Sequence, residues 1–500
     1  MRRLLAAALL TSLVATGQQQ FRLPAPKPLS NRLSTSKNQL IPTMLTLEQL
    51  LASVNKNFPP LRAALLERPL AEADLLNQQG RFDLSLRSRV DTQNFGFYQN
   101  ERFEIALDQP TTAWGSTLYS GYGISRGRYP DYDGKAVTNE AGQYRAGIRV
   151  PLARDRAIDN RRADLGKARI GLRLADLSID QQRLTILQTA TRRYWDWIAA
   201  GRRLLIANTL LDVAIGRDAI LTEAVKIGAL PQFEQLDNQR IVLQRRNNVV
   251  EARRSLENAS IELSLFFRDD TGQPLLAEAE RLIPGFPEPA ALTEGQMLDD
   301  MNAALSRRPD VLRFVFQRNQ VQIDKRLAQN QRMPNVDLFA EYFREAGDGS
   351  VKRGPNDLRV GLIFDLPLQR RQATSRMQNA EARLGQIEQR EKFQRDQVTA
   401  DVRDAASAVR AAFERSNVVS DELSVTRQVE DAERLRFELG DSTLFVLNQR
   451  EQATAEAAIR EANALADYFR AYAAYELAIA KALIPGATPA FTSPANKPTP

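Results

Sequence analysis

The chain has 500 residues, of which 43% are hydrophobic and 26% are charged, a balance typical of a folded protein. It contains no cysteine and no histidine, which excludes disulfides, thiol nucleophiles, imidazole bases and the usual zinc or copper centres. The formal net charge of +7 is spread over helical stretches that carry both signs, which indicates a solvated helix surface and no nucleic-acid partner. The absence of cysteine and histidine weakens the enzyme hypothesis without excluding it, and our prediction is that the protein is not an enzyme and has no catalytic residues, cofactor or metal ligands. Only chemistry carried by carboxylates stays open.

The first residues have the order of an export signal. Arg2 and Arg3 precede an apolar run over residues 4–15, and the residues at 15–17 are as small as signal peptidase requires. The apolar run is too short for a membrane-spanning helix. We predict a signal peptide over residues 1–17, with a buried N-terminal helix as the alternative.

Two other segments lack the pattern of regular structure. Residues 18–43 are rich in Pro, Ser, Asn and Gln and are predicted to form a mobile leader, and residues 485–500 are predicted to form a disordered tail. Elsewhere no segment has about 18 uninterrupted apolar residues, so no helix is expected to cross a bilayer. A chain with this pattern enters a membrane only as a β-barrel.

The chain carries a long internal repeat. Matching positions recur in the same order, 250, 216 and 212 residues apart: Pro59 with Pro309, Pro151 with Pro367, and Gly228 with Gly440. The first half is longer by 34 residues (250 minus 216), all of them between its opening helix and Pro151. We predict a first repeat over residues 44–267, an inter-repeat linker over residues 268–296 and a second repeat over residues 297–484.

Four segments alternate apolar and charged residues with a period of two. We predict strands over residues 82–95 and 143–151 in the first repeat, and over residues 336–343 and 358–367 in the second. One apolar face and one charged face suit a barrel with lipid outside and water inside. A soluble sheet packed on a core shows the same alternation and is the alternative.

Aromatic residues are concentrated in the extra region of the first half and in its flanks. This cluster is consistent with an interfacial girdle or an exposed loop. It comprises Tyr98, Trp114, Tyr119, Tyr122, Tyr129 and Tyr132. Residues 103–107 and 114–124 are compatible with an additional hairpin, but the sequence does not place it in the fold.

The helical stretches are unusually long, and each is interrupted by a glycine turn. Residues 161–226 and 369–438 contain no proline, and at 1.5 Å per residue each is on the order of 100 Å long. Such lengths suggest coiled-coil-like packing. Gly228 and Gly440 are predicted to take the left-handed conformation that ends a helix. The hairpin tips are therefore predicted at residues 228–231 and 440–443.

Residues after each glycine suit the start of the next helix. Pro231 is suited to the first turn of that helix, and Ser442 or Thr443 is suited to its cap. Each half thus contains one long helical hairpin and one pair of strands.

Together these features resemble the TolC-like outer-membrane efflux proteins over residues 44–484. The resemblance rests on the two halves, the Pro-Leu motifs after the strands, both glycine tips, the element at residues 308–310 and the helix-to-strand junction at residues 333–338. The Pro-rich stretch at residues 272–289 resembles the family's inter-repeat segment at its equatorial belt.

The resemblance implies a mainly α fold with a β-barrel part. Three copies of the chain would each contribute four strands to a twelve-stranded outer-membrane β-barrel, which is joined to a periplasmic α-helical barrel. It also implies an exit duct of a tripartite efflux or type I secretion system, which passively conducts cargo across the periplasm and outer membrane of a Gram-negative-type cell. The implied partners are a periplasmic adaptor, an inner-membrane pump and outer-membrane lipid.

The resemblance also indicates the functional residues. Adaptor docking carries over to the hairpin tips, at Gly228, Ala229, Leu230, Gly440, Asp441, Ser442 and Thr443. The family's entrance is ringed by carboxylates six residues after the tip glycine, which corresponds to Glu234, with Asp237 on the same helix face. Phe437 corresponds to an aromatic residue near the constriction. The second half has Val446 at the position of Glu234 and so departs from a doubled acidic ring.

Alternative interpretations remain. Glu234 also suits a solvated helix face, and Phe437 also suits packing within the hairpin. Two other classes of protein are alternatives for the whole chain. One is a periplasmic adaptor, which has one long hairpin flanked by β-rich modules. The other is a carboxylate-dependent periplasmic hydrolase, which needs a compact domain with a pocket. The two hairpins and the alternating strand pairs favour the duct.

Overall fold

The computed structural model describes residues 44–130, 137–349 and 356–483. The predicted signal peptide, leader and tail, and Tyr132 of the aromatic cluster, lie outside the described residues. Within the described ranges the chain is mainly helical, with one β-sheet. No helix in these ranges is long and apolar enough to cross a membrane.

The α-helices fall into two similar sets, one in each half of the chain. They are α1 (Leu47–Asn57), α2 (Pro59–Leu65), α3 (Glu67–Gly80), α4 (Asn160–Lys226), α5 (Gln232–Ser264), α6 (Glu294–Arg307), α7 (Pro309–Asn330), α8 (Arg371–Glu438) and α9 (Leu444–Ala478). Proline starts both α2 and α7, because its fixed φ and missing N–H suit the first turn of a helix. Thr46 and Gln49 form a capping box at the start of α1.

The long helices have nearly equal lengths in the two halves. Helices α4 and α8 contain 67 and 68 residues, which makes each of them about 100 Å long. Their hairpin partners α5 and α9 contain 33 and 35 residues. Each half therefore contains one long hairpin whose two arms differ about twofold in length, as the predicted repeat requires.

The strands form one antiparallel sheet in the order of the sequence. They are β1 (Ser85–Gln93), β2 (Asn100–Pro110), β3 (Thr117–Gly127), β4 (Gln143–Pro151), β5 (Asn335–Glu345) and β6 (Asp357–Asp365). The prediction of four strands per chain was wrong, because the additional hairpin, β2–β3, lies inside the sheet between β1 and β4. The first predicted strand also starts too early, since a turn at residues 81–83 precedes β1.

One face of the sheet is apolar over all six strands. In the antiparallel register, directly opposed residues lie on the same face. One row of opposed residues crosses the sheet through Leu86, Leu107, Ser120, Ala146, Tyr342 and Leu358. The row through Val90 contains Phe103 and Ile124. Because apolar side chains of both edge strands are exposed on this face, it is not the inner face of a soluble core within the chain.

The main hydrophobic core lies midway along α4, where α1 and α9 pack against it. The rings of Trp195 and Phe469 stack with centroids 4.2 Å apart and an interplanar angle of 20°. Tyr194 is also buried there, and its hydroxyl donates a hydrogen bond to the carbonyl of Leu45 at 2.9 Å. This core ties the start of the described chain to both long hairpins.

The Arg-Pro-Asp element at residues 308–310 joins α7 to α8. The guanidinium of Arg308 donates to Asp310 at 2.6 Å and to Asp401 of α8 at 3.0 Å. These ion pairs therefore join the start of α7 to the middle of α8.

Candidate functional site

The first hairpin tip is a helix-ending turn centred on Gly228. The N–H of Ala229 donates to the carbonyl of Ala224 at 2.8 Å, and the N–H of Gly228 donates to that of Val225 at 3.0 Å. These two bonds define a Schellman motif, whose left-handed residue is Gly228 with φ of +74°. A Cβ placed on Gly228 would meet no atom within 4 Å, so the backbone conformation, and not lack of space, requires glycine.

The second tip repeats the first. Gly440 has φ of +79°, and its N–H donates to the carbonyl of Phe437 at 3.0 Å. The N–H of Asp441 donates to the carbonyl of Arg436 at 2.8 Å. The predicted left-handed glycines are thus confirmed at both tips, with the same hydrogen-bond pattern.

The residues that follow the two glycines differ. Thr443 caps α9, because its hydroxyl accepts a hydrogen bond from the N–H of Val446 at 3.4 Å. Ser442 instead donates to Glu433 of α8, and the carboxylate of Asp441 pairs with Arg436 at 3.2 Å. At the first tip, Pro231 occupies the cap position without a side-chain bond. At this tip the side chain of Gln235, in the first turn of α5, donates to the hydroxyl of Thr222 in α4 at 2.9 Å. Both tips are therefore held by backbone and side-chain bonds, but only the second has charged side chains bonded within the turn.

Each tip exposes two large apolar side chains at the same offsets from its glycine. Ile227 and Leu439 immediately precede the glycines and are 72% and 75% exposed. Phe233 and Phe445 follow five residues later, and each is 70% exposed. The sequence prediction included Leu230 but missed these four residues. Their signal was available, since the same residue types stand at equal distances from the two glycines.

The two predicted entrance carboxylates lie on α5 but differ in their surroundings. Glu234 is in the first turn of α5, and no ion pair or side-chain hydrogen bond to its carboxylate is found among the described residues. Asp237 accepts a hydrogen bond from Arg240 at 3.0 Å, which neutralises part of its charge. In the second half, Val446 and the buried Asn448 take the corresponding stretch of α9. Phe437 is partly buried in the last turn of α8.

A buried charged cluster, which the sequence did not reveal, joins the two hairpins behind their tips. Glu451 of α9 accepts hydrogen bonds from Arg217 of α4 and Arg245 of α5, the latter at 2.9 Å. Arg217 also donates to Asn448 at 2.5 Å. Burial lowers the pKa of Arg245, and the bond and charge of Glu451 oppose that shift. The cluster comprises residues from both halves, so it fixes how one hairpin sits against the other.

Nothing in the described ranges suggests a metal centre, since no group of three or more acidic side chains is arranged to hold an ion. The chemistry available at the two hairpin tips is that of a binding surface for another protein. The tips present apolar side chains, backbone turns and a few carboxylates at the hairpin ends.

Known proteins resemble this chain in structure but not in sequence. No known family profile matches the chain, and no curated protein matches it. Among solved structures, the CmeC outer membrane channel of Campylobacter jejuni is 13% identical, with a TM-score of 0.59 over 87% of this chain and 85% of that one. The open state of the Neisseria gonorrhoeae MtrE outer membrane channel is 15% identical, with a TM-score of 0.60 over 87% and 88% of the two chains. The outer membrane protein VceC of Vibrio cholerae is 16% identical, with a TM-score of 0.59 over 87% and 96%.

These likenesses show the fold. The chain has the architecture of bacterial outer-membrane channels, and the predicted resemblance to TolC-like proteins is confirmed at that level.

Proposed function

We propose that this chain is the outer-membrane exit duct of a tripartite efflux or type I secretion system. Three copies assemble with their sheets side by side in the outer membrane and their helical hairpins in the periplasm. The duct is passive: cargo is driven by an inner-membrane pump and handed over by a periplasmic adaptor. No step of this role breaks a covalent bond, so we assign no catalytic residue.

The observation that carries the proposal is the combination of the sheet with the hairpins. All six strands share one face that carries exposed apolar side chains, and two helices of 67 and 68 residues extend from the same sheet. An apolar face of this kind is stable against lipid, while the opposite face is lined by charged side chains such as Arg87, Glu104 and Arg149. The solved structures with this fold are outer-membrane channels, which supports the same location for this chain.

The adaptor alternative fits less well. An adaptor would have a single long hairpin with separate β-rich modules, whereas this chain has two hairpins of equal length and one sheet built from both halves. A hydrolase is less well supported still, because that alternative needs a compact domain with a pocket, whereas the described residues form two long helical hairpins joined to one sheet.

At the tips we propose a docking surface for the adaptor. Its residues are the predicted Gly228, Ala229, Leu230, Gly440, Asp441, Ser442 and Thr443, together with the exposed Ile227, Phe233, Leu439 and Phe445. Exposed apolar residues grouped at the end of a helical hairpin suit a partner that packs against both arms. Both tips give such a partner an apolar contact, and the second adds the polar side chains of Asp441 and Ser442.

At the entrance we propose that Glu234 faces the threefold axis. Three copies would then form a ring of carboxylates that attracts cations and holds the entrance closed until an adaptor repositions the helices. Asp237 adds little to this ring because Arg240 already pairs with it. Phe437 narrows the same region from α8.

Membrane fractionation followed by a size measurement tests this proposal. We expect the mature chain in the outer-membrane fraction, extracted only by detergent, with the mass of three copies after subtraction of bound detergent. Recovery as a monomer in the osmotic-shock fluid would contradict the duct and favour a periplasmic protein.

A further inference from the structure

We infer that the additional hairpin β2–β3 is part of the membrane pore and widens it, so that three chains close an eighteen-stranded barrel in place of a twelve-stranded one. This inference rests on the proposed trimeric duct. It concerns the outer end of the duct, where the hairpin sets the size of solute that the barrel admits.

The first argument is the position of the hairpin within the sheet. Strand β2 pairs with β1 along the whole of β1, from Ser85 opposite Asp108 to Gln93 opposite Asn100. Strand β3 pairs with β4 from Thr117 opposite Arg149 to Gly123 opposite Gln143. The hairpin thus lies between β1 and β4, and these two strands do not pair with each other in the described sheet. A hairpin folded back as an external loop would leave both of its outer edges unpaired.

The second argument is the continuity of the apolar face. Phe103, Ile105 and Leu107 of β2 point to the same side as Leu86 and Val90 of β1, because they lie in the same rows of opposed residues. Towards β4, Leu118 of β3 stands opposite Ile148. The hairpin therefore presents lipid-compatible residues in register with those of its neighbours, as a barrel wall requires.

The third argument is a contact on the polar face, in which an aromatic ring covers a glycine of the neighbouring strand. This contact occurs between β3 and β4 and again between β5 and β6. Tyr119 stands opposite Gly147, and a Cβ on that glycine would lie 2.5 Å from Cζ of the tyrosine ring. Phe339 stands opposite Gly361, where a Cβ would also lie 2.5 Å from Cζ of the ring. An aromatic ring over a cross-strand glycine is a device that fixes strand register. The hairpin is thus joined to β4 by the device that joins the two strands of the second half.

A charged side chain spans the same junction. Arg145 of β4 crosses β3 at Gly121, which lacks a side chain, and pairs with Glu104 of β2. A Cβ on Gly121 would lie 3.2 Å from Nε of Arg145, so glycine keeps this path open. Three strands are therefore linked by one ion pair on the polar face. The link holds the hairpin flat in the sheet.

The strand count has a geometric consequence. Because six is an even number, β6 of one copy runs antiparallel to β1 of the next. Every pair of neighbouring strands in the closed ring is then antiparallel. Barrel diameter grows roughly linearly with strand number, so eighteen strands give a lumen about 1.5 times as wide as twelve, and about twice the cross-section. Barrels of 16–18 strands leave an aqueous channel. The outer end of this duct therefore admits larger solutes than a four-stranded chain would allow.

Engineered cysteine pairs test the strand order, since the chain has no cysteine of its own. Ser120 and Ala146 are directly opposed, whereas Leu86 lies in the same row but three strands from Ala146. At about 4.8 Å per strand, that separation is roughly 14 Å, beyond the reach of a disulfide. In outer-membrane vesicles, oxidation is expected to crosslink the pair made by S120C and A146C and to leave the pair made by L86C and A146C open. The reverse result would overturn the inference, because it would place β1 beside β4 and the hairpin outside the wall.

Polymer exclusion tests the pore width. A variant in which residues 94–142 are replaced by an Asn-Gly turn joins β1 to β4 and keeps an even strand number. In planar bilayers, neutral polymers of increasing radius are added only on the side of the barrel mouth, and their partitioning is read from the conductance. The full chain is expected to admit polymers about 1.5 times larger in radius than the variant admits. Equal exclusion radii would overturn the inference.

Two controls separate these results from other failures. The variant Arg89→Gln removes a positive charge from the polar face, and the ion-pair partner of Arg89 is Asp91 on the same strand, so all six strands are kept and the exclusion radius is expected to match that of the full chain. If the hairpin deletion fails to fold, the cysteine pairs in the otherwise complete chain still decide the strand order. Failure of the duct proposal itself has a different signature: no detergent-stable trimer and no channels in the bilayer.

Discussion

Glu451 of α9 accepts a hydrogen bond from Arg245 of α5 at 2.9 Å, although both side chains are almost entirely buried. These residues belong to different halves of the chain, and Arg217 of α4 completes the cluster. Two guanidinium groups therefore share one carboxylate, which joins the first hairpin to the second. Arg470 of α9 also pairs with Asp196 of α4, so the cluster adds to a second polar link and to the hydrophobic core between the hairpins.

Glu451→Gln is expected to destabilise the chain strongly. The substitution removes the carboxylate that the buried Arg245 and the partly buried Arg217 share, and breaking a buried ion pair in this way costs about 3–5 kcal/mol. Glu456→Gln, five residues further along α9 at an exposed position, is the matched control and is expected to be nearly neutral. Thermal unfolding of the detergent-solubilised protein measures both. An unchanged unfolding temperature for Glu451→Gln would mean that the cluster does not hold the hairpins together.

Gly228→Val and Gly440→Val are expected to reduce adaptor crosslinking and cargo export while leaving the trimer intact. Each valine is forced into a left-handed conformation, which costs about 1 kcal/mol or more locally. Gly216→Val is the control, because Gly216 lies within α4, also has open space around it and lacks a positive φ. Export unaffected by both tip substitutions would remove the basis for docking at the turns.

Phe233→Ser and Phe445→Ser are each expected to weaken adaptor binding at least about fivefold, and the two together at least about thirtyfold if their effects add. Exposed aromatic side chains at the centre of an interface contribute more than about 1 kcal/mol each when truncated. Leu243→Ser provides the comparison, since Leu243 is similarly exposed on α5 but lies ten residues farther along the helix. Binding of the purified adaptor to the immobilised trimer measures the effect. Equal losses for all three substitutions would indicate that the tips are not the site of contact.

Neutralising the entrance carboxylates is expected to lower the preference for cations over anions. Glu234→Gln should account for most of the effect and Asp237→Asn for less, because Arg240 already pairs with Asp237. Exposed charges are screened over about 10 Å at 0.1 M salt, so the loss should be largest at low ionic strength. Glu251→Gln on the same helix serves as the control. Reversal potentials that do not change at low salt in the double variant would place both residues on a solvated helix face.

The sequence predicted the features that depend on local chemistry. Gly228 and Gly440 were predicted to have the left-handed backbone conformation, and both have it. This prediction needs only the local sequence, because a left-handed glycine ends a helix whatever the helix packs against. The alternation in β1 and β4 to β6 was readable for the same reason, since side-chain direction follows from the strand itself.

Features that depend on distant partners could not be predicted. Residues 103–107 and 114–124 suggested a hairpin, but its place between β1 and β4 is set by pairing with strands elsewhere in the chain. The prediction therefore stayed at four strands. Glu451 meets partners more than 200 positions earlier in the sequence, and an isolated Glu on an Ala-rich helix gives no sign of them. The roles assigned to Glu234, Asp237 and Phe437 stay predictions.

The ring of Tyr119 over Gly147 limits how these two positions can change. A side chain added at Gly147 would collide with the ring, and removal of the ring would leave the glycine backbone uncovered on the polar face. The two positions are therefore not independent. The dependence runs mainly in one direction, because a side chain at position 147 would also lie 2.8 Å from the carbonyl oxygen of Ala340 on β5. Where the tyrosine has been replaced, the glycine is therefore still expected to be kept.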